Sequence, residues 1–137
     1  RNGADVTRVR KMLRDDMNDY KARAAAVSEA EIFAQSYAIS VCPSEGLESP
    51  TVVGAQAANE LLNIVGVKAS FVLTPYKGEI YVSARSIDEV NVQVIMERFG
   101  GGGHMTIAGA QLKDCTVAEA KELVKYTVTK MVEEGDI

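Results

Sequence analysis

Four consecutive glycines, Gly100 to Gly103, run straight into His104, the single histidine of the chain. Such a run presents peptide N–H groups with no Cβ in front of them, an arrangement that can hold an anion through the backbone. Arg85 closes the β-type segment EIYVSARS, and its planar guanidinium can take a pair of phosphate oxygens at once. Ser83 lies two residues earlier and so shares the Arg85 face of a strand. The imidazole of His104 can donate to a phosphate or stack on a base. Backbone donors, a forked cation, a hydroxyl and an imidazole together read as a phosphate or nucleotide cradle.

Each of these groups also has a plain structural use. A glycine run can be a flexible loop, or a place where backbone crosses closely over a helix. A lone histidine can cap a helix. An arginine at a strand end can pair on the surface, here with Asp88 or Glu89. The dinucleotide pattern GxGxxG does not decide the matter, because this run follows a helical segment rather than a first strand.

The elements that must position the cradle alternate between β and α. From Asp5, a candidate cap, to about Phe33 the pattern is helical, with a stripe through Val6, Val9, Met12, Leu13, Met17 and Tyr20. A break falls near Ser28, which can cap a second short helix. The second half of this stretch, KARAAAVSEAEIF, favours helix but has little apolar surface, which suits a connector better than a core. Ser36 to Pro43 read as a strand ended by proline. A helix follows, capped by Ser49, with Pro50 at its first position, Val53, Ala57, Leu61 and Leu62 inward, and Gly66 at the stop. A pair of β-rich runs flanks PYKG as a hairpin. IDEVNVQVIMERF is helical, with Asp88 or Ser86 near its cap and Val90, Val94 and Ile95 inward. GAQLKDC reads as a strand, and a closing helix opens with the capping box Thr116–Glu119. The expected fold is α/β, a mixed β-sheet with packed helices, preceded by an N-terminal linker helix. Residues 1–33 read as the tail of a preceding domain plus linker, and 34–137 as the domain itself.

The chain has 137 residues, 47% apolar and 25% charged, enough for a real core. A net charge of −4 argues against a broad nucleic-acid footprint, so a phosphate ligand must be held by a few placed groups. No apolar run reaches membrane-spanning length, so this segment is expected to make no direct membrane contact. There is no signal peptide, and the start on Arg1 reads as part of a longer protein. Cys42 and Cys115 are expected to be reduced, sitting in strands as small apolar residues. Their spacing does not suit zinc, and no metal ligand is assigned on this chain. Met12, Met17, Met96 and Met131 read as core fillers, and Tyr20 and Tyr37 as packing residues.

The segment ERFGGGGHMTIAGAQL, preceded by IYVSARS and a helix, resembles the DHH-associated domain at the C-terminus of DHH phosphoesterases, with its GGGH motif and following Ala-Gly pair. It is most similar to the version in membrane-anchored cyclic-di-AMP phosphodiesterases of the GdpP type, where a longer glycine run and a Gln-Leu ending recur. The resemblance covers residue 34 to the C-terminus, and the first 33 residues resemble the end of the DHH domain and its connector. It implies a division of labour. The DHH domain, in cis, holds a pair of manganese ions that generate the attacking hydroxide and clamp phosphoryl oxygens. The present domain closes over cyclic-di-AMP, or its linear product pApA, and supplies binding groups: Ser83, Arg85, Gly100, Gly101, Gly102, Gly103 and His104, with Thr106 a candidate base contact. The resemblance further implies a manganese-dependent hydrolase in second-messenger signalling, on the cytoplasmic side of the cell membrane, with dimerisation common in the family. This chain has no DHH triplet and one histidine, so no catalytic residue is assigned to it and alone it is expected to hydrolyse nothing. Two alternatives stand beside this reading. One is the substrate-binding domain of an oligoribonuclease or phosphoadenosine phosphate phosphatase. The other is a non-catalytic RNA-binding module of the kind appended to alanyl-tRNA synthetases. The segments MTI and AGAQL favour the cyclic-dinucleotide group, and the linker helix argues against the synthetase module.

Overall fold

The computed structural model describes residues 17–137, so the expected Asp5 cap and the stripe from Val6 to Leu13 lie outside the described residues. Helix α1 covers residues 17–28. It is followed by strands β1 (Glu31–Phe33) and β2 (Tyr37–Val41), helix α2 (Pro50–Leu61), and strands β3 (Ala69–Tyr76) and β4 (Glu79–Ser86). Helix α3 (Val92–Glu97), strands β5 (Gly102–Gly103) and β6 (Ile107–Leu112), and helix α4 (Val117–Glu133) complete the chain. The strands form one mixed sheet in the order β1-β2-β3-β4-β6-β5, parallel only between β2 and β3. This is the expected α/β class.

Local chemistry accounts for most of these elements. Pro50 opens α2 behind Ser49, although the Ser49 side chain makes no capping bond. The helix ends at Leu61, ahead of Gly66, whose φ of 91° turns the chain towards β3. Between β3 and β4 the turn is Lys77–Gly78, with φ of 51° and 78°, whose twist matches the strands it joins. Pro75 therefore lies within β3 instead of in the turn. It sits opposite Ile80, one step from the turn-flanking pair Tyr76–Glu79, at a non-hydrogen-bonded position where no N–H is needed towards β4. The Asn91 carboxamide caps α3, accepting from Gln93 N and Val94 N at 3.0 and 3.3 Å. Neither Asp88 nor Ser86 does so, because β4 runs on to Ser86 and buries it, its hydroxyl donating to Val90 O at 2.6 Å. The Thr116–Glu119 capping box opens α4 as expected.

Other expectations need correction. The first helix does not reach Phe33. It ends at residue 28, the Ser28 hydroxyl donating back to Ala25 O instead of capping a new helix, and Glu31–Phe33 pair antiparallel with β2. The reversal runs through Ala34 and Gln35 at positive φ, residue types that carry no turn signal. The alanine stretch is also more than a spacer. Ala22 and Ala26 are buried in a core cluster with α2, and the buried Ser40 hydroxyl donates to Ala26 O. Met17 and Tyr20 are exposed, whereas Met96, Met131 and Tyr37 are buried. Neither cysteine lies in a strand. Cys42 follows β2 and Cys115 lies in the turn after β6, both as free thiols, and burial pushes the Cys42 thiol up to about 11.

The two faces of the sheet are covered unequally. Helices α3 and α4 bury Ile39, Phe71, Leu73, Val82, Ala108 and Ala110 on one face. On the other, α1 and α2 cover Ala38 and Val72 of β2 and β3. Strand β3 is consequently buried on both faces over most of its length. Along β4 burial alternates: Ile80, Val82, Ala84 and Ser86 point inward, and Glu79, Tyr81, Ser83 and Arg85 are partly exposed. The half-face of β4, β6 and β5 beyond α2 is therefore open. Among the described residues no helix is long and apolar enough to cross a membrane.

Two predictions follow from this packing. Helix α2 lies so close to β3 that a Cβ on Gly54 would fall 2.1 Å from Thr74 Oγ1, a buried hydroxyl with no hydrogen-bond partner among the described residues. Ala normally stabilises a helix over Gly by about 1 kcal/mol, but here Gly54→Ala is expected to lower the urea-unfolding free energy by roughly 1–3 kcal/mol. In a Thr74→Ala background the loss should largely disappear. The second concerns Glu31 of β1, which Lys121 (2.9 Å) and Lys125 of α4 hold as the carboxylate. Their hydrogen bonds lower its pKa from 4.5 to about 2. The stabilisation is present above the ordinary carboxylate pKa and lost as pH falls through about 2. The melting-temperature gap between wild type and Glu31→Gln should thus close across that interval.

Candidate functional site

The glycine run begins as a helix cap. Gly100 N–H donates to Glu97 O (3.1 Å) and Gly101 N–H to Met96 O (2.9 Å), the paired bonds of a Schellman turn, with Gly100 at φ 80°. The next residues form a strand, not the expected loop. Gly102 pairs with Gly109 and Gly103 with Ala108. A Cβ on Gly101 would lie 2.1 Å from Gly109 O, and one on Gly103 would lie 2.5 Å from Ile107 O. Backbone conformation therefore accounts for Gly100, close contact with β6 for Gly101, and both for Gly103, whose φ is 145°. Gly102 has neither reason: a Cβ there would meet nothing within 4 Å.

Hydrogen bonding limits which amides remain free. Those of Gly100 and Gly101 cap α3, and that of His104 donates to Ile107 O at 2.7 Å. Antiparallel alternation aims the Gly103 N–H away from β6, along the outer edge of the sheet. The Met105–Thr106 turn is tied down in its turn. Met105 O accepts from Val92 N (2.8 Å) and Thr106 O from Ser86 N (3.0 Å), so the loop is fastened to α3 and to the end of β4.

Cross-strand pairing then arranges the open half-face in rows. Arg85 lies opposite Ile107, the acceptor of the His104 amide. Ser83 lies opposite Gly109, itself opposite Gly102, and Tyr81 lies opposite Gln111. Directly opposed residues point to the same face. The middle row thus carries a hydroxymethyl and bare glycines, a trough between the Arg85 row and the Tyr81 row. A cleft of about 550 Å³ opens here, lined by Tyr81, Ser83, Gly100, Gly101, Gly109 and Gln111, with Thr51 of α2 and Lys113 at its rim. Of the predicted site residues, Ser83, Gly100 and Gly101 line this cleft, Gly102 lies in its middle row, and Arg85 occupies the next row. His104 stands exposed beyond Ile107, and Gly103 and Thr106 lie outside the cleft lining.

Arg85 is the electrostatic feature of the face. Its Nη1 donates to Ala84 O at 2.9 Å. It pairs with neither Asp88 nor Glu89, Glu89 being engaged by Lys68 at 3.3 Å. Among the described residues no carboxylate lies within ion-pair range of it. Partial burial lowers its pKa from the ordinary arginine value. A partly dehydrated cation without a counter-charge gains most from an arriving anion. No three His, Cys, Asp or Glu side chains among the described residues gather closely enough to hold a metal ion, so a manganese pair does not fit these residues.

Residue types alone did not single out Tyr81, Gly109 and Gln111. The signal was the period of β6, in which Ile107, Gly109 and Gln111 alternate with the buried Ala108, Ala110 and Leu112.

The open sheet face thus carries a glycine trough and, among the described residues, an arginine without a carboxylate partner. Residues 34–134 match the DHHA1 domain, and the chain belongs to that family. It is 44% identical over 121 residues to the cyclic-di-AMP phosphodiesterase PdeA of Listeria monocytogenes, covering 88% of this chain and 18% of that protein. It is 42% identical over 134 residues to the cyclic-di-AMP phosphodiesterase GdpP of Geobacillus thermodenitrificans, covering 97% and 20% respectively. The chain therefore spans about a fifth of the length of these relatives. An exopolyphosphatase-related protein from Bacteroides fragilis superposes with a TM-score of 0.71 at 20% identity, over 82% of this chain and 34% of that one, a likeness of fold. The resemblance read from the glycine motif thus holds.

The glycines separate cleanly by substitution. Gly101→Ala is expected to destabilise by roughly 1–3 kcal/mol in urea unfolding, because its Cβ meets backbone. Gly102→Ala should stay within about 0.5 kcal/mol of wild type.

Proposed function

We propose that this chain is the substrate-binding domain of a cyclic-di-AMP phosphodiesterase, holding a substrate phosphate while another part of the protein hydrolyses cyclic-di-AMP to linear pApA. One observation carries the reading: Arg85, partly buried and without a carboxylate partner among the described residues, shares an open half-face with Ser83 and the bare Gly102–Gly109 pair. The named activity of relatives that match nearly the whole chain supports the substrate class.

In this reading the Arg85 fork takes a pair of phosphate oxygens. The Ser83 hydroxyl donates to the same group, and Gly102 and Gly109 let the phosphodiester backbone lie close to the sheet. His104 donates from the edge, Thr106 in the adjoining turn is a candidate base contact, and the Gly100 and Gly101 backbone forms the floor. A DHH domain in cis, with its manganese pair, supplies the hydroxide and the metal clamp. The present residues neutralise and orient, and by themselves turn nothing over. The complete protein is a manganese-dependent hydrolase anchored on the cytoplasmic side of the cell membrane, working as a dimer.

The test is Arg85→Ala in the full-length protein with cyclic-di-AMP as substrate. Loss of a charge-assisted phosphate contact should lower kcat/KM by an amount equivalent to roughly 1.5–3 kcal/mol. His104→Ala should produce a smaller loss. An unchanged kcat/KM for Arg85→Ala would refute the phosphate role.

A further inference from the structure

The phosphate reading uses one side of the cleft and leaves the Tyr81–Gln111 side unassigned. We infer that this side is a nucleobase pocket, in which Gln111 reads an adenine edge while the ring lies beside Tyr81 over the bare Gly100, Gly101 and Gly109 backbone. The inference rests on Arg85 holding the phosphate of the same nucleotide.

Geometry and chemistry support it together. Tyr81 lies four residues before Arg85 on the same face of β4, about 13 Å along the strand. That leaves room for a nucleotide between a phosphate at the guanidinium and a base edge at Gln111. The cleft volume, about 550 Å³, falls within the range of small-ligand sites. Its floor is glycine backbone, which gives a flat ring close contact without a side chain in the way.

The polar groups select the ligand class. The Gln111 carboxamide presents a donor and an acceptor side by side, which matches the N7 acceptor and N6 amino donor of adenine. At the corresponding edge guanine offers a pair of acceptors, N7 and O6, so the same carboxamide can satisfy only one of them. Gln111 is exposed, and its side chain has no hydrogen-bond partner among the described residues. The rim cation Lys113 is within 3.5 Å of Glu79, so this end of the cleft is closer to neutral than the Arg85 end. A neutral base suits it better than another phosphate.

The experiment compares cyclic-di-AMP with cyclic-di-GMP in the full-length protein carrying Gln111→Ala, Gln111→Glu or Arg85→Ala. The readout is the ratio of the kcat/KM values. Where cyclic-di-GMP turns over too slowly, its inhibition constant against cyclic-di-AMP replaces the second value. Gln111→Ala is expected to cost roughly ten- to a hundredfold with cyclic-di-AMP and less than about threefold with cyclic-di-GMP, so that base discrimination collapses. Gln111→Glu, which removes the donor, should do the same. Equal losses on both dinucleotides, or no loss on either, would overturn the base pocket. Arg85→Ala should weaken both dinucleotides by a similar factor. If it weakens neither, the phosphate reading fails instead, whatever the Gln111 ratio.

Discussion

Backbone lies directly against backbone where the glycine run crosses β6, and the site is built on that contact. Gly101 approaches Gly109 O and Ala110, and Gly103 approaches Ile107 O and Ala108, at separations no side chain could enter. Each glycine in an ordered segment carries an entropic cost of roughly 0.5–1 kcal/mol relative to alanine. The Schellman bonds that end α3 and the pairing of β5 on β6 offset that cost. A methyl group at either position would lift β5 from the sheet. It would also pull on the Met105–Thr106 turn, which is fastened to Val92 and Ser86. The Arg85 row, the bare trough and the position of His104 all inherit their geometry from this crossing.

The open half-face is a consequence of topology. The parallel step from β2 to β3 needs a crossover, and α2 supplies it, packing over those strands on one face of the sheet. From β4 onward every pairing is antiparallel, and the remaining helices, α3 and α4, both join the core on the opposite face. On the α2 side, no described helix covers β6 and β5, and α2 reaches only part of β4. Tyr81, Ser83 and Arg85 therefore keep partial exposure while their strand neighbours are buried. The open face arises where the sheet changes from sandwiched to one-sided.

Much of this was legible in the chain. The Thr116–Glu119 box, Pro50 at a helix start and the hairpin before Arg85 each rest on a local rule, and tertiary context left them intact. The shared face of Ser83 and Arg85 needed only the period of a strand. The failures have physical reasons too. Strand β1 is three residues long and is reached through Ala34 and Gln35 at positive φ, types that do not advertise a turn. Strand β5 is made of glycine, which strands generally avoid, so its pairing depends on Gly109 and Ala108 across the sheet. Ser86 and Asp88 both looked like caps, but β4 continued through Ser86 and left the task to Asn91. The glycines could not be told apart by identity, since Gly100 serves a φ value, Gly101 backbone contact, Gly103 both, and Gly102 leaves open space. Tyr81 and Gln111 became neighbours only once the register of β4 against β6 was fixed.

Charge selectivity in an acidic chain has to come from local placement. Lys121 and Lys125 are engaged by Glu31, Arg23 by Glu60, Arg98 by Asp136, Lys68 by Glu89 and Lys113 by Glu79. Exposed pairs of this kind add little to stability, but they cancel positive potential over the surface around the cleft. Arg85 keeps its charge uncompensated among the described residues, in a position already partly stripped of water. A lysine there would bring a compact, strongly hydrated charge, with a larger dehydration cost and no fork to fix the orientation of a phosphate. Arginine loses less hydration and imposes a plane. With a bare trough on one side and the Ile107 row on the other, in the proposed complex that plane would limit how a phosphodiester lies and would direct the nucleotide along β4 towards Tyr81.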